Sequence, residues 1–211
     1  TGPTGSGKST MINLIPRYYD VTKGSVKVDG VDVRDMTQKE LRDKLGYVPQ
    51  KGVLFSGTID SNIRYGKPEI TDAQVKEAAE VAQATEFIDT KPEKYESPVS
   101  QGGTNVSGGQ KQRLSIARAI AKDPEIFIFD DSFSALDFKT DSQLRKALKE
   151  YTKDATTVIV AQRISTILGA DQIIVLDDGH MAGIGTHKEL MANCEVYQQI
   201  ARSQLSEEEL A

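Results

Sequence analysis

Cysteine is nearly absent. Cys194 is the only one in 211 residues, so no internal disulfide can form and the thiol reads as a small, idle hydrophobe suited to a reducing cytosol. Histidine is almost as scarce: His180 and His187 flank a turn, with no further ligand at metal-binding spacing, and read as solvated polar side chains. There is no excess of positive charge either. The net charge is -5 and the Lys and Arg residues are scattered rather than striped, which argues against nucleic acid as the main partner. No apolar run approaches the roughly 20 residues that cross a bilayer, and the N-terminus lacks the charged-then-apolar pattern of a signal peptide. Any membrane link therefore has to come from outside these residues. Internal repeats and low-complexity linkers are missing too. What is present is 38% hydrophobic residues in a chain long enough for one globular domain, or one with a small subdomain.

The first ten residues, TGPTGSGKST, carry the strongest signal. Gly2, Gly7, Lys8 and Ser9 fit G-x-x-x-x-G-K-[ST], with Pro3, Thr4, Gly5 and Ser6 between them and Thr10 after. Small residues there let backbone N–H groups wrap phosphates, while lysine reaches the outer phosphates and the hydroxyl ligates Mg²⁺. KSTMINLI, which follows, reads as a helix whose N-terminal dipole faces the anion. Such a loop normally follows a core strand, so a preceding segment carrying the first strands is expected.

Further along, SVKVDGVDV alternates around Asp29-Gly30, a hairpin signal, and LGYVPQ reads as a short strand. Residues 70 to 122 turn helical, opening with Thr71 and Gln74 at capping-box spacing. Strands return as EIFIFD, TTVIV and QIIVLDDG, with helical stretches between them, a pattern that indicates a parallel sheet. The tail QQIARSQLSEEELA reads as a solvated helix fraying at its acidic end. These segments divide the chain into an α/β core over about 1–66 and 123–190, a helical subdomain over about 67–122 and a helical tail over 191–211.

In IFIFDD, Asp130 ends an apolar strand where a P-loop nucleotidase holds Mg²⁺ through its water shell. Between that strand and the phosphate loop lies NVSGGQKQR, opening the amphipathic stretch KQRLSIARAIA. A hydroxyl plus two glycines at a helix N-terminus is a second anion cradle. Taken with the phosphate loop and Asp130, this segment strongly resembles the ATP-binding cassette (ABC) family, whose signature is usually LSGGQ. Val106 replaces the leucine here, and Ser107, Gly108, Gly109 and Gln110 are intact.

The resemblance covers essentially the whole chain, and PQKGVLFSGTIDSNIRYG is similar to the exporter branch. It implies a RecA-like P-loop fold, with a parallel sheet flanked by helices on both faces, a helical subdomain and a small antiparallel β portion. It also implies that ATP and Mg²⁺ bind at a dimer interface, where one subunit's phosphate loop meets another's signature. Gln50 matches the glutamine that senses Mg²⁺ and water and couples to the membrane domain. FSALD, residues 133–137, matches the loop that crosses between partners, closed by Asp137. Membrane association would then run through transmembrane domains outside this chain, at the cytoplasmic face of the cell membrane.

Two positions depart from the family. Hydrolytic members usually carry glutamate after the Mg²⁺ aspartate, but Asp131 is one methylene shorter, and a displacement of about 1 Å can cost roughly 10²-fold in rate. In AQR, Gln162 stands where members usually show histidine; it can hydrogen-bond but cannot become a cation. A degenerate site is therefore expected, paired in a heterodimer with a different chain that keeps glutamate and histidine. A soluble cassette ATPase and a regulatory ATP-binding module share the phosphate chemistry and stand as alternatives. The stretch LFSGTIDSNI and the lack of a basic face weigh against the soluble one. Tyr18 and Tyr19 are expected to pack rather than stack on a base. Lys111, Arg113 and Arg118 are spaced for a solvated helix face.

Overall fold

The computed structural model describes residues 1–206, so the acidic end of the tail lies outside the described residues. In chain order it forms α1 (Lys8–Ile12), β1 (Lys27–Val28), β2 (Val31–Asp32), α2 (Gln38–Asp43), β3 (Leu45–Val48), β4 (Gly57–Thr58) and α3 (Ile59–Ile63). Next come α4 (Asp72–Val81), α5 (Thr85–Asp89), β5 (Pro98–Val99) and α6 (Gly108–Ala121). The last third holds β6 (Ile126–Asp130), α7 (Phe138–Tyr151), β7 (Thr156–Val160), β8 (Ile173–Asp177), β9 (His180–Gly185), α8 (His187–Asn193) and α9 (Glu195–Gln204). Two compact units divide the chain: residues 1–37 with those from 159 onward, and residues 38–158.

The unit of residues 38–158 is built on a parallel pair. β3 runs beside β6 with Leu45 opposite Ile126 and Val48 opposite Phe129, and β7 starts on the other side of β6. Both strands are almost continuous apolar runs, as a sheet covered on both faces requires. α6 buries Leu114, Ile116, Ala117 and Ile120, while α4 buries Val75, Ala78 and Ala79. Each Leu or Ile taken fully out of water contributes about 2 kcal/mol before entropy is charged. α4 begins with the capping box expected from Thr71 and Gln74: each side chain meets the other residue's backbone N–H.

The other unit, among the described residues, is organised by two hairpins and the helices α1, α8 and α9. Val28 pairs with Val31 across Asp29-Gly30, both at positive φ (51° and 78°), so the DG signal gives the two-residue turn it encodes. Asp177 pairs with His180 across Asp178-Gly179 in the same way. Here the structure differs from the sequence reading, which put QIIVLDDG with the strands of a parallel sheet: β8 folds straight back, antiparallel, onto β9. The fold is thus mixed α/β, with a parallel sheet and small antiparallel sheets. Tyr197 and Ala201, on successive turns of α9, and Leu205, just past its end, pack with Ile173, Val175, Leu190 and Cys194, which places the lone thiol in this core. Regular helix after the phosphate loop stops at Ile12, short of the KSTMINLI span.

Candidate functional site

The phosphate loop is held by backbone geometry more than by side chains. Gly2 faces the sheet so closely that an added Cβ would lie 2.1 Å from the Leu176 carbonyl oxygen. Gly7 caps α1 at φ 96°, in the left-handed region where a side chain is strained. Ser6 is buried; its N–H donates to the Pro3 carbonyl at 3.2 Å, and its carbonyl accepts from Gly179 N–H at 3.2 Å, tying the loop to the β8–β9 turn. Lys8 Nζ sits over the loop, donating to the carbonyls of Gly2 (2.8 Å) and Pro3 (2.7 Å). A compact ammonium on a cradle too tight for one Cβ fits a chain of phosphates, whose oxygens can take over those donors. Pro3, Thr4 and Gly5 form the exposed rim, and Ser9 and Thr10 present their hydroxyl-bearing side chains on the exposed side of α1.

At the end of β6, Asp130 is buried and accepts a long hydrogen bond from Tyr47 Oη at 3.5 Å. Asp131 adopts φ 47°, a left-handed conformation that Asp tolerates better than longer side chains do. Gln50 Nε2 donates to Asp131 Oδ2 at 3.2 Å, so the structure brings these two sequence-predicted residues together. Buried Ser132 donates to the Val48 carbonyl at 2.8 Å and pins this turn to the neighbouring strand.

Ser107 caps α6 with a capping box. Its Oγ accepts from Gln110 N–H and Gln110 Oε1 accepts from Ser107 N–H, both at 3.2 Å. The box uses the serine as acceptor and leaves its hydroxyl proton to turn toward an anion. Gly108 has open space at its Cβ position, and Gly109 passes the Ala135 carbonyl at ordinary contact distance. Asp137 caps α7 in turn: it accepts from the Thr140 hydroxyl (2.7 Å) and N–H (3.0 Å), which hold its carboxyl below the usual carboxylate range.

Gln162 is exposed, on the loop after β7. Its carbonyl accepts from Gln204 Nε2 at 2.9 Å, and Gln204 Oε1 accepts from Ile164 N–H at 2.8 Å, so one α9 side chain spans the loop. Sequence reasoning missed this clamp, since nothing in a 42-residue separation announces it.

Other expectations are corrected. Arg113 and Arg118 do not form a solvated face. Arg118 donates to the carbonyls of Asn62 (2.8 Å) and Val53 (2.9 Å) and lies over the stacked rings of Phe55 and Tyr65. Burial pushes its guanidinium down to about 10. Arg113 donates to the Gln83 carbonyl at 2.7 Å and covers Phe87. The guanidinium can satisfy carbonyls and stack at once, an option that charge spacing alone does not reveal. Tyr18 and Tyr19 are 49% and 62% exposed rather than packed. His187 meets the buried Tyr197 hydroxyl at 2.8 Å instead of facing only solvent.

Among the described residues no group of three or more His, Cys, Asp or Glu is placed to hold a metal ion, and no helix is long and apolar enough to cross a membrane. A hydroxyl, an amide oxygen and one carboxylate, from Ser9, Gln50 and Asp130, are hard oxygen donors of the kind Mg²⁺ takes alongside phosphate and water.

Comparison with known proteins follows the same lines. The family profile described as ABC transporter matches residues 1–134. An uncharacterized ABC transporter ATP-binding protein of Mycobacterium tuberculosis is 49% identical over 206 residues, which cover 96% of this chain and 35% of that protein. A provisionally named multidrug export ATP-binding/permease protein of Staphylococcus aureus is 47% identical over 199 residues, covering 94% and 34%. The chain thus spans about a third of the length of these curated relatives. Among solved structures, a bacterial Atm1-family ABC exporter with ATP bound superposes with a TM-score of 0.93 at 40% identity, covering 98% of this chain and 36% of that one.

Proposed function

The chain belongs to the ABC transporter family, and from that premise we propose that it is the MgATP-binding, ATP-hydrolysing domain of an exporter. The observation that carries this reading is the phosphate loop: Lys8 poised over carbonyls that Gly2 alone allows to lie so close to the sheet. Gly2, Pro3, Thr4, Gly5, Ser6, Gly7, Lys8, Ser9 and Thr10 form the loop around the phosphates, which binds them by the N–H groups of its non-proline residues, the Lys8 ammonium and hydroxyls. Ser9, Gln50 and Asp130 hold Mg²⁺, whose charge, when bound, offsets that developing on the outer phosphates. Ser107, Gly108, Gly109 and Gln110 serve the nucleotide of a second nucleotide-binding domain. The helical segment 67–122 acts as the subdomain that carries them. Transmembrane domains beyond this chain are the other partner and place it at the cytoplasmic face of the cell membrane; the relatives' combined ATP-binding/permease description supports that arrangement.

Hydrolysis at the chain's own phosphate loop is weak on this reading. Asp131 takes the place of the water-activating acid with a shorter reach, and its carboxylate already accepts from Gln50. Gln162 offers an amide where a cation would stabilise the outer phosphate. The working partner is then a different chain with glutamate and histidine, so that most turnover occurs where this chain contributes Ser107–Gln110. Changing the partner's catalytic acid in the assembled transporter tests this. Turnover should fall at least about 10²-fold; turnover surviving nearly undiminished contradicts the asymmetric assignment. ATP binding that survives Lys8→Met unchanged would contradict the phosphate-loop assignment itself.

A further inference from the structure

Gln112 is a polar residue on the apolar face of α6, 1% exposed, one turn before Ile116 and two before Ile120. Its side chain crosses to the segment that carries Gln50. Gln112 Oε1 accepts from Gly52 N–H at 2.8 Å, and Gln112 Nε2 donates to the Pro49 carbonyl at 3.1 Å. One buried amide therefore satisfies both main-chain groups flanking Gln50 and Lys51. Gly52 fits flat against the helix: a Cβ there would lie 2.8 Å from both the Lys111 carbonyl oxygen and Ser115 Oγ. α6 itself begins at the Ser107–Gln110 box. The loop has no freedom to follow anything but this helix, because losing either hydrogen bond strands a buried polar group.

The geometry points to Gln112 as a positioning residue that locks the Gln50 loop to the helix opened by Ser107–Gln110. A shift of α6 when its N-terminus meets a phosphate is thereby passed to Gln50 and, through the 3.2 Å hydrogen bond, to Asp131. The chain's contribution to one nucleotide site is thus coupled to Gln50 and, through it, to the Asp131 side chain. This inference rests on the roles proposed above for Gln50 and for Ser107–Gln110.

The test uses the full-length polypeptide paired with itself, so that all turnover runs through its own Gln50 and Asp131. Gln112→Met keeps the volume and removes both hydrogen bonds. Amide exchange over residues 50–53, without nucleotide, should quicken at least about tenfold. The kcat for ATP should fall about tenfold, as expected for a misplaced reacting group, with KM changed less than about twofold because the phosphate loop is untouched. Combined with Gln50→Ala, Gln112→Met should lower kcat no further than Gln50→Ala does alone. Gly52→Ala reaches the same loop from the other side, since its Cβ wedges the segment off α6. It should give the same split between kcat and KM, and it is read in place of Gln112→Met should that variant fail to fold. The inference is overturned if exchange and kcat stay at wild-type values in the variants, or if the Gln50 and Gln112 effects multiply. If Gln50→Ala by itself leaves turnover unchanged, the role given to Gln50 falls and the positioning role falls with it. If Gln50→Ala lowers turnover while Gln112→Met and Gly52→Ala do not, only the positioning role is lost.

Discussion

The phosphate loop and the pair Asp131 and Gln162 are held in opposite ways. In the loop, function is written in main-chain positions fixed by close packing: a Cβ on Gly2 meets a carbonyl at 2.1 Å, and buried Ser6 is bonded on both sides. Asp131 is half-buried and Gln162 exposed, each offering a side-chain tip on a main chain secured by other residues. Changing a packed backbone disturbs the fold, whereas shortening a tip leaves every neighbour in place. Asp131 and Gln162 can therefore vary without unsettling the packing that fixes the phosphate loop.

The sharpest way to break the contrast is at the loop. Gly2→Ala should cost about 3 kcal/mol and abolish ATP binding together, read by thermal unfolding and calorimetric titration. A stable, ATP-binding Gly2→Ala protein would mean that the loop is not fixed by packing. At the tips the expected effects divide. Asp131→Glu with Gln162→His should raise ATP turnover of the self-paired polypeptide about 10²-fold, with ATP affinity changed less than about twofold. The same double variant should be slightly less stable, by about 1 kcal/mol, because residue 131 sits at φ 47° and glutamate tolerates that region less well than aspartate. Smaller still is Gln204→Met. The side chain it removes is exposed, so water replaces the lost hydrogen bonds, and turnover of the assembled transporter should change only a few-fold. The mildest effect concerns Asp137. Its folded pKa is depressed, so its contribution is complete above the ordinary carboxylate range and is lost as pH falls through the folded value. The gap in melting temperature between the wild type and Asp137→Ala should narrow on acidification and stay constant around neutrality.

Local chemistry was the legible part of the sequence. Thr71 with Gln74 and Asp29-Gly30 act over two to four residues, and the structure forms the cap and the turn where those residues stand. The apolar runs LGYV and IFIFD were readable as strands for the same reason, since burial on both faces leaves a continuous signature. Asp178-Gly179 carried the same turn code as Asp29-Gly30, yet the following HMAGIG has little β-branched or alternating character, and β9 was missed. What sequence could not supply is pairing across distance. Gln112 to Pro49 spans 63 residues and Arg118 to Val53 spans 65. Periodicity marks Gln112 as a polar residue on an apolar face and Arg118 as a charge, without saying which carbonyls await them.

The most direct measurement of the central claim is ATP binding and ATP turnover on the same self-paired polypeptide. Bound ATP with turnover near 1% of that of the Asp131→Glu, Gln162→His variant is the expected result, an effect of about 10²-fold at the tips alone. Turnover in the wild type already equal to that of the variant would contradict the account.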